Sequence, residues 1–402
     1  MSNRVRIALI STSCVVIFYA VLGGLLGKIE DSKESAYKYL GVYSEVVSRI
    51  KSDYVTEPDL RKVTGGAIRG LLEALDPYST YMSPEEFKAY QKNPQPGPAD
   101  IGIFVAKRLG FATVVSVLPG SPAEKAGVKV GDLIDRVENL GTRELSVVQI
   151  QRMLAGEAGT TVNVTLVREA RGDPQKTPIV RAVLGNPPVV AKMVDSGAGY
   201  LRLSLFNEGK SDEVAARLKE LTSGGADKIV LDLRNCAGGE PKEAVQIAGL
   251  FMENGLVGYL QGQRFPRQDL SIKPRGPVNT LPLVVLINQS TAGPAELVAS
   301  SVGANKRGDI MGSRSFGIGV YQKLISMDDG SALLLSIAKY YGPDGKAIQD
   351  NGVLPTIEDD ASPDSSAGDD DEPAAPENFG SANDPLLRKA IEMLKHKTAK
   401  AA

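Results

Sequence analysis

The chain has 402 residues, of which 42% are hydrophobic and 23% are charged, and its formal net charge is −2. This length allows two or three domains of roughly 100–200 residues each, and the composition excludes wholesale disorder, a collagen-like repeat and a multi-span membrane protein. The near-neutral charge argues against a nucleic-acid-binding protein, which usually carries a basic surface.

Two residue types are scarce enough to exclude whole classes of site. The cysteines are Cys14 and Cys236, and the single histidine is His396, near the end of the chain. A disulfide framework, a Ser-His-Asp triad, a Cys-His pair and a His-rich zinc site therefore cannot be built in the body of the protein. We expect no metal and no organic cofactor, and any acid–base chemistry has to use lysine, a carboxylate or tyrosine.

The N-terminal segment predicts a membrane anchor over residues 1–28. Ile7–Gly27 contains no charged residue and follows Arg4 and Arg6. As a helix this run is about 31 Å long, enough to cross a hydrocarbon core of roughly 30 Å. The basic flank predicts that the N-terminus lies inside and that the remaining chain is exported to a periplasmic or other extracytoplasmic space. A cleaved signal peptide is the alternative.

The segment 29–97 has the pattern of a helical region. Apolar residues recur at spacings of three and four from Tyr39 to Ile50 and again from Val63 to Leu75. Leu75–Tyr81 has the composition of a turn. Ser83 followed by a proline and two glutamates predicts the capped start of another helix.

Four further segments follow along the chain. Short β-rich runs separated by Gly and Pro occupy residues 98–186, and alternating strand and helix patterns typical of a mainly parallel sheet occupy residues 187–357. Residues 358–384 contain ten acidic and no basic residues, which predicts a disordered linker. Residues 385–402 predict a short basic amphipathic helix.

The first specific motif lies in the β-rich segment. Gly120 turns the chain, Ser121 and Pro122 begin a one-turn helix, and Gly127 ends it. This motif strongly resembles a PDZ domain, a fold that binds an extended peptide as an added strand at a sheet edge. The resemblance implies a peptide groove formed by a carboxylate-binding loop and one helix. Its predicted peptide-binding residues are Ile101, Gly102, Ile103, Val147, Ile150, Gln151 and Leu154.

One residue of the loop departs from the PDZ pattern. Asp100 stands where the family more often has glycine. A carboxylate at this position is expected to weaken the binding of a peptide C-terminus by like-charge repulsion.

A second set of motifs occurs in the α/β segment. Val230–Gly239 is a buried-strand pattern that runs into a Gly-rich turn, Leu283–Leu297 is a strand that runs into a helix, and Ser315–Gln322 follows. With the PDZ motif in the same order, residues 34–357 resemble the C-terminal processing peptidases, also called tail-specific proteases. Members are typically exported serine peptidases whose PDZ domain binds an apolar C-terminus and whose Ser-Lys pair cuts the chain. The resemblance also implies oxyanion-type N–H groups at Gly238 and Gly239.

Both reacting groups of the family are absent from the matching positions. Where the family reads Ser-Ala-Ser-Ala-Ser-Glu this chain reads Thr291–Glu296, so that Gly293 takes the place of the nucleophile. In the family's Thr-Phe-Gly-Lys-Gly motif Ile318 replaces the lysine, and Gln322 matches a supporting glutamine. Because glycine has no side chain and isoleucine accepts no proton, we expect catalysis by the family mechanism to be lost.

The sequence therefore predicts a multi-domain α/β protein. It would comprise an N-terminal membrane-spanning helix, a helical region, a PDZ domain with a β-barrel-like sheet and an α/β peptidase-like core. Its expected function is to bind polypeptide C-termini or unfolded proteins without cutting them, with an active protease relative as a possible partner. One alternative is an active endopeptidase that uses Ser290 or Thr291 with Lys323. Another is an assembly partner that forms oligomers, including homo-oligomers, through residues 34–92.

Overall fold

The computed structural model describes residues 39–92, 97–108, 110–168, 173–273, 276–359 and 378–401, together with Phe18. The predicted anchor lies outside these residues apart from Phe18. Within the described ranges no helix is both long and apolar enough to cross a bilayer. The chain divides into two units, Met1–Ile68 and Arg69–Ala402.

The described part of the N-terminal region is mainly helical, as its spacing predicts. Ser83 caps its last helix, because its Oγ accepts from Glu86 N at 3.2 Å while Glu86 Oε2 accepts from Ser83 N at 2.8 Å. The elements are α1 (residues 39–53), α2 (Leu60–Glu73), β1 (Thr80–Met82) and α3 (Pro84–Lys92).

The β-rich segment forms one six-stranded antiparallel sheet with two α-helices. Its strand order is β2-β3-β4-β6-β7, and β5 pairs with β4. Both helices begin at a serine cap, Ser121 and Ser146, and the second has a reciprocal capping box with Gln149. The elements are β2 (Ile103–Arg108), β3 (Phe111–Val117), α4 (Pro122–Lys125), β4 (Leu133–Val137), β5 (Leu140–Gly141), a 3-10 helix (Thr142–Glu144), α5 (Val147–Leu154), β6 (Thr161–Val167) and β7 (Gln175–Val180).

Strands and helices alternate through the α/β segment. These elements are β8 (Val190–Val194), a 3-10 helix (Asp195–Gly197), β9 (Ala198–Arg202), α6 (Lys210–Ser223), β10 (Lys228–Asp232), α7 (Pro241–Ala248), β11 (Leu256–Gln261), β12 (Gln268–Ser271), β13 (Leu283–Ile287), α8 (Pro294–Ala304), β14 (Asp309–Gly312), β15 (Val320–Ser326), β16 (Ala332–Tyr341), β17 (Ile357–Glu358) and α9 (Pro385–Ala401).

The central sheet has the order β17-β14-β13-β10-β9-β8 and is parallel except for β8. Every residue of β10 and β13 is buried, because helices cover both faces. Helices α6, α7 and α8 pack on one face and α9 packs on the other. The predicted mainly parallel sheet is confirmed.

A second, antiparallel sheet lies beside the first and has the order β1-β16-β11-β12, with β15 paired to β16. Thr80 in β1 pairs with Leu334 in β16. This pairing joins the end of the helical region to the sheet that carries Gln322.

The C-terminal helix α9 is part of the α/β core. Leu386, Leu387 and Leu394 are buried against the central sheet. Just before the helix, Asp384 accepts from both terminal nitrogens of Arg234, at 3.1 and 2.5 Å, and the Phe379 ring lies 4.2 Å from the Arg234 guanidinium carbon. The predicted linker 358–384 therefore meets ordered structure at both ends, and residues 360–377 lie outside the described ranges.

We expect the Asp384→Ala variant to lose stability, because it leaves the guanidinium of Arg234 buried beside one remaining carboxylate. Breaking a buried pair by removing one partner costs about 3–5 kcal/mol. Urea unfolding of the variant measures this loss. Glu392→Ala, an exposed change on the same helix, is the matched control. Equal midpoints for the two variants would contradict the role assigned to Asp384.

Candidate functional site

The site is built at the carboxyl ends of β10 and β13, two neighbouring parallel strands. Asn288 follows β13, and its Oδ1 accepts from Asn235 N at 3.0 Å while its Nδ2 donates to Asn235 Oδ1 at 2.7 Å. Asn235 has a φ of 54°, a conformation that asparagine tolerates better than most residues. This pair fixes the distance between the two turns that leave the sheet, at the edge where α/β proteins place their ligands.

Gly293 lies in the sharp turn between β13 and α8. Its φ is 66° and its ψ is −121°, so the backbone occupies a region that L residues rarely adopt. Strained strand-to-helix turns of this kind expose a nucleophile in α/β hydrolases. A Cβ built at Gly293 meets no atom within 4 Å. The turn therefore has the shape and the free space that a serine side chain requires.

Ile318 lies directly beside this turn, because one carboxylate binds both positions. Glu296 Oε2 accepts from Gly293 N at 2.8 Å and from Ile318 N at 2.9 Å. Its Oε1 accepts from Ser315 Oγ at 2.5 Å and from Gly317 N at 2.8 Å. The two positions that the sequence paired as nucleophile and base are thus brought together around Glu296.

The Glu296 carboxyl group is an ionisable group that is buried from solvent. Its side chain is fully buried, and burial raises the pKa of the carboxyl group to about 7, although its four hydrogen bonds act in the opposite direction. All four contacts come from donors, so the hydrogen bonds favour the ionised form, but the loss of hydration outweighs them. The raised pKa reports the cost of keeping this charge away from water.

The Gly-rich turn after β10 forms the opposite side of the site. Gly238 and Gly239 have φ values of 86° and 101°, and a Cβ at Gly239 would lie 2.3 Å from the backbone of Phe206. Only glycine fits there. Within the described part of the chain, the backbone contacts of this turn include no bond donated by either glycine N–H. Their assignment as oxyanion-type donors stays a prediction.

An apolar contact joins the PDZ-like sheet to the site. Phe104 of β2 packs in one cluster with Phe316 and Ile318. Nearby, Ser116 Oγ of β3 donates to Asn235 O at 2.8 Å. The Ile318 side chain therefore contributes to the packing between the PDZ-like sheet and the turns of the site.

Gln322 connects the site to the turn that precedes β1. Its Nε2 donates to Tyr78 O at 2.9 Å. Asp76 holds that turn in shape, since its Oδ1 accepts from Tyr78 N at 2.8 Å and from Ser79 N at 2.6 Å. Burial, together with neighbouring carboxylates, raises the pKa of the Tyr78 phenol, so this hydroxyl stays protonated.

The candidates for a relocated Ser-Lys pair are Ser290 or Thr291 with Lys323, and their surroundings differ from those of Gly293 and Ile318. Thr291 is fully buried; its Oγ1 donates to Leu233 O at 2.8 Å and accepts from Asn288 N at 3.0 Å. Ser290 is buried in the same turn, where its N–H donates to Asn288 Oδ1 at 3.1 Å. Lys323 is exposed on β15 and follows Gln322, so the two side chains leave opposite faces of the strand. The contacts of Thr291 are those of a residue that holds the turn.

The predicted peptide-binding residues divide into two groups. Gly102, whose φ is 84°, packs against Ser121, and a Cβ there would lie 2.4 Å from Ser121 Cβ. Ile103 and Gln151 are partly exposed along β2 and α5. The others are buried in the apolar core of the sheet or beside it: Ile101, Val147, Ile150 and Leu154. Their direct part in peptide binding stays a prediction.

Asp100 already occupies part of the predicted carboxylate-binding loop. Its Oδ1 accepts from Gly102 N at 2.7 Å. Burial raises the pKa of the Asp100 carboxyl group above its usual value, although the bonds from Gly102 and Ile101 and the charge of Arg181 oppose the shift. An internal carboxylate thus takes one of the N–H groups that a peptide terminus would use.

Several residues on which the site depends are not marked as functional by the sequence. Glu296 was visible only as a motif residue, and its position three residues after Gly293 is the signal for a bond back to the start of the helix. Asn235 and Asn288 each follow a buried strand, and this pattern indicates that the two side chains lie at the same edge of the sheet. No sequence signal connects Phe104 or Ser116 to a motif more than 100 residues away.

Three family models match the chain. The model of peptidase family S41 matches residues 197–359, a PDZ-domain model matches residues 113–168, and the model of the activating protease CtpB N-terminal domain matches residues 26–86. The carboxy-terminal-processing protease of Bartonella bacilliformis is 31% identical over 334 residues, which cover 81% of this chain and 76% of that protein. The chain belongs to peptidase family S41.

Other members of the family support the same assignment. The carboxy-terminal processing protease CtpA of Bacillus subtilis is 31% identical over 359 residues, covering 88% of this chain and 75% of that protein. The structure of a photosystem II D1 C-terminal processing protease superposes with a TM-score of 0.65 at 26% identity and covers 79% of this chain and 92% of that one. This S41 chain therefore has the PDZ domain and the peptidase core of the carboxy-terminal processing proteases.

We expect Glu296 to make stability depend on pH. Because its pKa of about 7 in the folded state exceeds the ordinary value of 4.5, the folded state binds more protons between these values, and the free energy of unfolding falls as pH rises through this window. Relative to Glu296→Gln, the unmodified protein should lose about 3 kcal/mol between the two ends of the window.

Urea unfolding of both proteins at several pH values measures this difference. Glu220→Gln, an exposed change on α6, is the control and should run parallel to the unmodified protein. A pH-independent difference between the unmodified protein and Glu296→Gln would contradict the raised pKa.

Proposed function

We propose that this S41 protein binds the C-terminal tails of other polypeptides and does not cut them. The observation that carries the proposal is the pair of positions held by Glu296. Gly293 lies in the turn of the nucleophile and Ile318 lies beside it, so neither side chain can attack a carbonyl or take up a proton.

The apolar surroundings of Ile318 favour the same interpretation. Ile318, Phe104 and Phe316 pack against one cluster of buried apolar side chains. A lysine in this cluster would be desolvated, which lowers the pKa of an ammonium group and prepares it to act as a base. A Ser-Lys pair would have an apolar environment here, whereas Gly293 and Ile318 offer no nucleophile and no base.

We propose further that residues 1–28 anchor the chain in a membrane and that the remaining chain is exported. The uncharged run Ile7–Gly27 behind two arginines supports this assignment. In this setting the protein would act as an adaptor that presents tails, for example to an active protease of the same family.

We expect the double change Gly293→Ser with Ile318→Lys to create tail-dependent cleavage. The added hydroxyl enters free space, and the added amine enters the apolar cluster next to it. The assay uses the full-length chain and an unfolded substrate with an apolar C-terminus, and it records release of fragments by mass spectrometry. Each single change should remain inactive, because each supplies only half of the pair.

Controls on the unmodified protein separate the alternatives. Cutting by the unmodified chain that is lost in Ser290→Ala or Thr291→Ala would contradict the proposal and establish a relocated nucleophile. Measurable tail binding without cutting supports the proposal. If the unmodified protein neither bound nor cut the tail, tail recognition would be refuted.

We also expect tail binding to strengthen as pH falls. Asp100 is negative at high pH and repels the terminal carboxylate, and its raised pKa lets it become neutral closer to pH 7 than an ordinary aspartate. Asp100→Asn should bind a tail about fivefold more tightly at neutral pH and should lose the pH dependence, because it removes a like-charge repulsion of about 1 kcal/mol.

Peptide titrations followed by fluorescence anisotropy measure this effect. Asp135→Asn changes an exposed aspartate of β4 in the same domain and should behave like the unmodified protein. A tail affinity that is the same in Asp100→Asn and in the unmodified protein at every pH would refute repulsion by Asp100.

A further inference from the structure

A polar cavity lies at the far end of the predicted peptide groove. Its volume is about 370 Å³. Lys107 at the end of β2, Ser146 and Gln149 at the start of α5, and Arg143 form the side that belongs to the PDZ domain. The turn before β1 and the end of α2 form the other side.

The cavity has an excess of positive charge. Lys107, Arg143 and Arg69 line it, and Glu73 is the one carboxylate among the described lining residues. Arg69 is already paired, since it donates to both oxygens of Glu86 at 3.1 and 3.2 Å. The Arg143 guanidinium stacks over the Phe111 ring at 4.3 Å. Lys107 and Arg143 are therefore the cations available to a ligand.

Lys107 is the unusual member of this set. Its side chain is only 8% exposed, and its Nζ donates to Arg143 O at 2.8 Å. An ammonium group has three N–H donors, and no ion pair of Lys107 occurs within the described ranges. Burial lowers the pKa of this amine, and the charge of Glu73 opposes the shift without cancelling it. Such a buried cation favours an anionic ligand.

The position of the cavity identifies the ligand as part of an extended polypeptide. β2 is the terminal strand of its sheet, α5 packs against it, and a tail would bind along its free edge. A strand advances about 3.3 Å per residue, so a terminus held near Ile103 would bring a residue about four positions upstream to Lys107.

The same lysine also lines a second cavity, of about 200 Å³, together with Phe316 and Gly317 beside the Ile318 position. A chain that passes Lys107 can therefore continue from the PDZ groove into the cleft. This continuity favours a polypeptide over a small anion as the occupant.

We propose that Lys107 and Arg143 select tails that carry an acidic side chain about four residues upstream of an apolar C-terminus. This inference rests on the proposed binding of tails and defines which tails are bound. Recognition is electrostatic, so it weakens as salt screens the charges.

Matched peptides test the selection on the full-length chain. Three peptides share an apolar C-terminus and differ only in having glutamate, glutamine or lysine at about the fourth position before the terminus. The unmodified protein should bind the glutamate peptide about fivefold more tightly than the glutamine peptide at low salt. This ratio should approach one at high salt.

Three variants assign the effect to the two cations. Lys107→Met keeps the aliphatic stem and should bring the ratio close to one. Arg143→Glu, a change at an exposed residue, should shift the preference toward the lysine peptide. Lys129→Met, at an exposed lysine of the PDZ domain outside this cavity, should keep the ratio of the unmodified protein.

The outcomes separate this inference from the proposed function. Equal binding of all three peptides by the unmodified protein would overturn the selection and leave tail binding intact. An unchanged ratio in Arg143→Glu would also overturn it. If none of the peptides bound, tail recognition itself would be refuted.

Discussion

The carboxylate of Glu296 is the interaction on which the cleft depends. It is fully buried, and its two oxygens receive four hydrogen bonds from the start of α8 and from the loop before β15. The first segment follows β13 of the central sheet, and the second runs from β14 of that sheet to β15 of the antiparallel sheet. Replacing the charge with an apolar group would leave buried N–H donors without acceptors, and each such donor costs about 1–3 kcal/mol. The cleft therefore keeps its geometry whether or not the neighbouring positions carry reactive side chains.

Other contacts extend this arrangement in two directions. Toward the PDZ domain, Ser116 Oγ donates to the carbonyl oxygen of Asn235, and Phe104 and Ile318 pack against the same apolar cluster. Toward the C-terminus, Arg234 precedes Asn235 in the chain and is held by Asp384. A displacement of either the PDZ sheet or the C-terminal helix would thus reach the same turn after β10, which carries Gly238 and Gly239.

The elements with strong local signals could be predicted from the sequence. Strand β10 has polar residues only at its two ends, β13 has none, and serine with proline marks the start of α4. The resemblance of the motifs to those of the family implied that Gly293 and Ile318 lie close together. Long-range contacts could not be predicted, because the pairing of Arg234 with Asp384 spans 150 residues and neither residue type is uncommon at a surface. The cavity at Lys107 likewise forms only when segments distant in sequence meet.

The conformation of Gly293 has a consequence for how such a chain changes over generations. A residue with a Cβ pays roughly 1–3 kcal/mol to occupy such a region of backbone space, and a working nucleophile in this turn carries that strain permanently. Glycine relieves it while the turn, the helix start and the bond to Glu296 all remain. A glycine in this turn is therefore favoured by stability alone, whatever the chemistry of the cleft, and any later replacement by a residue with a side chain would have to overcome the same backbone strain.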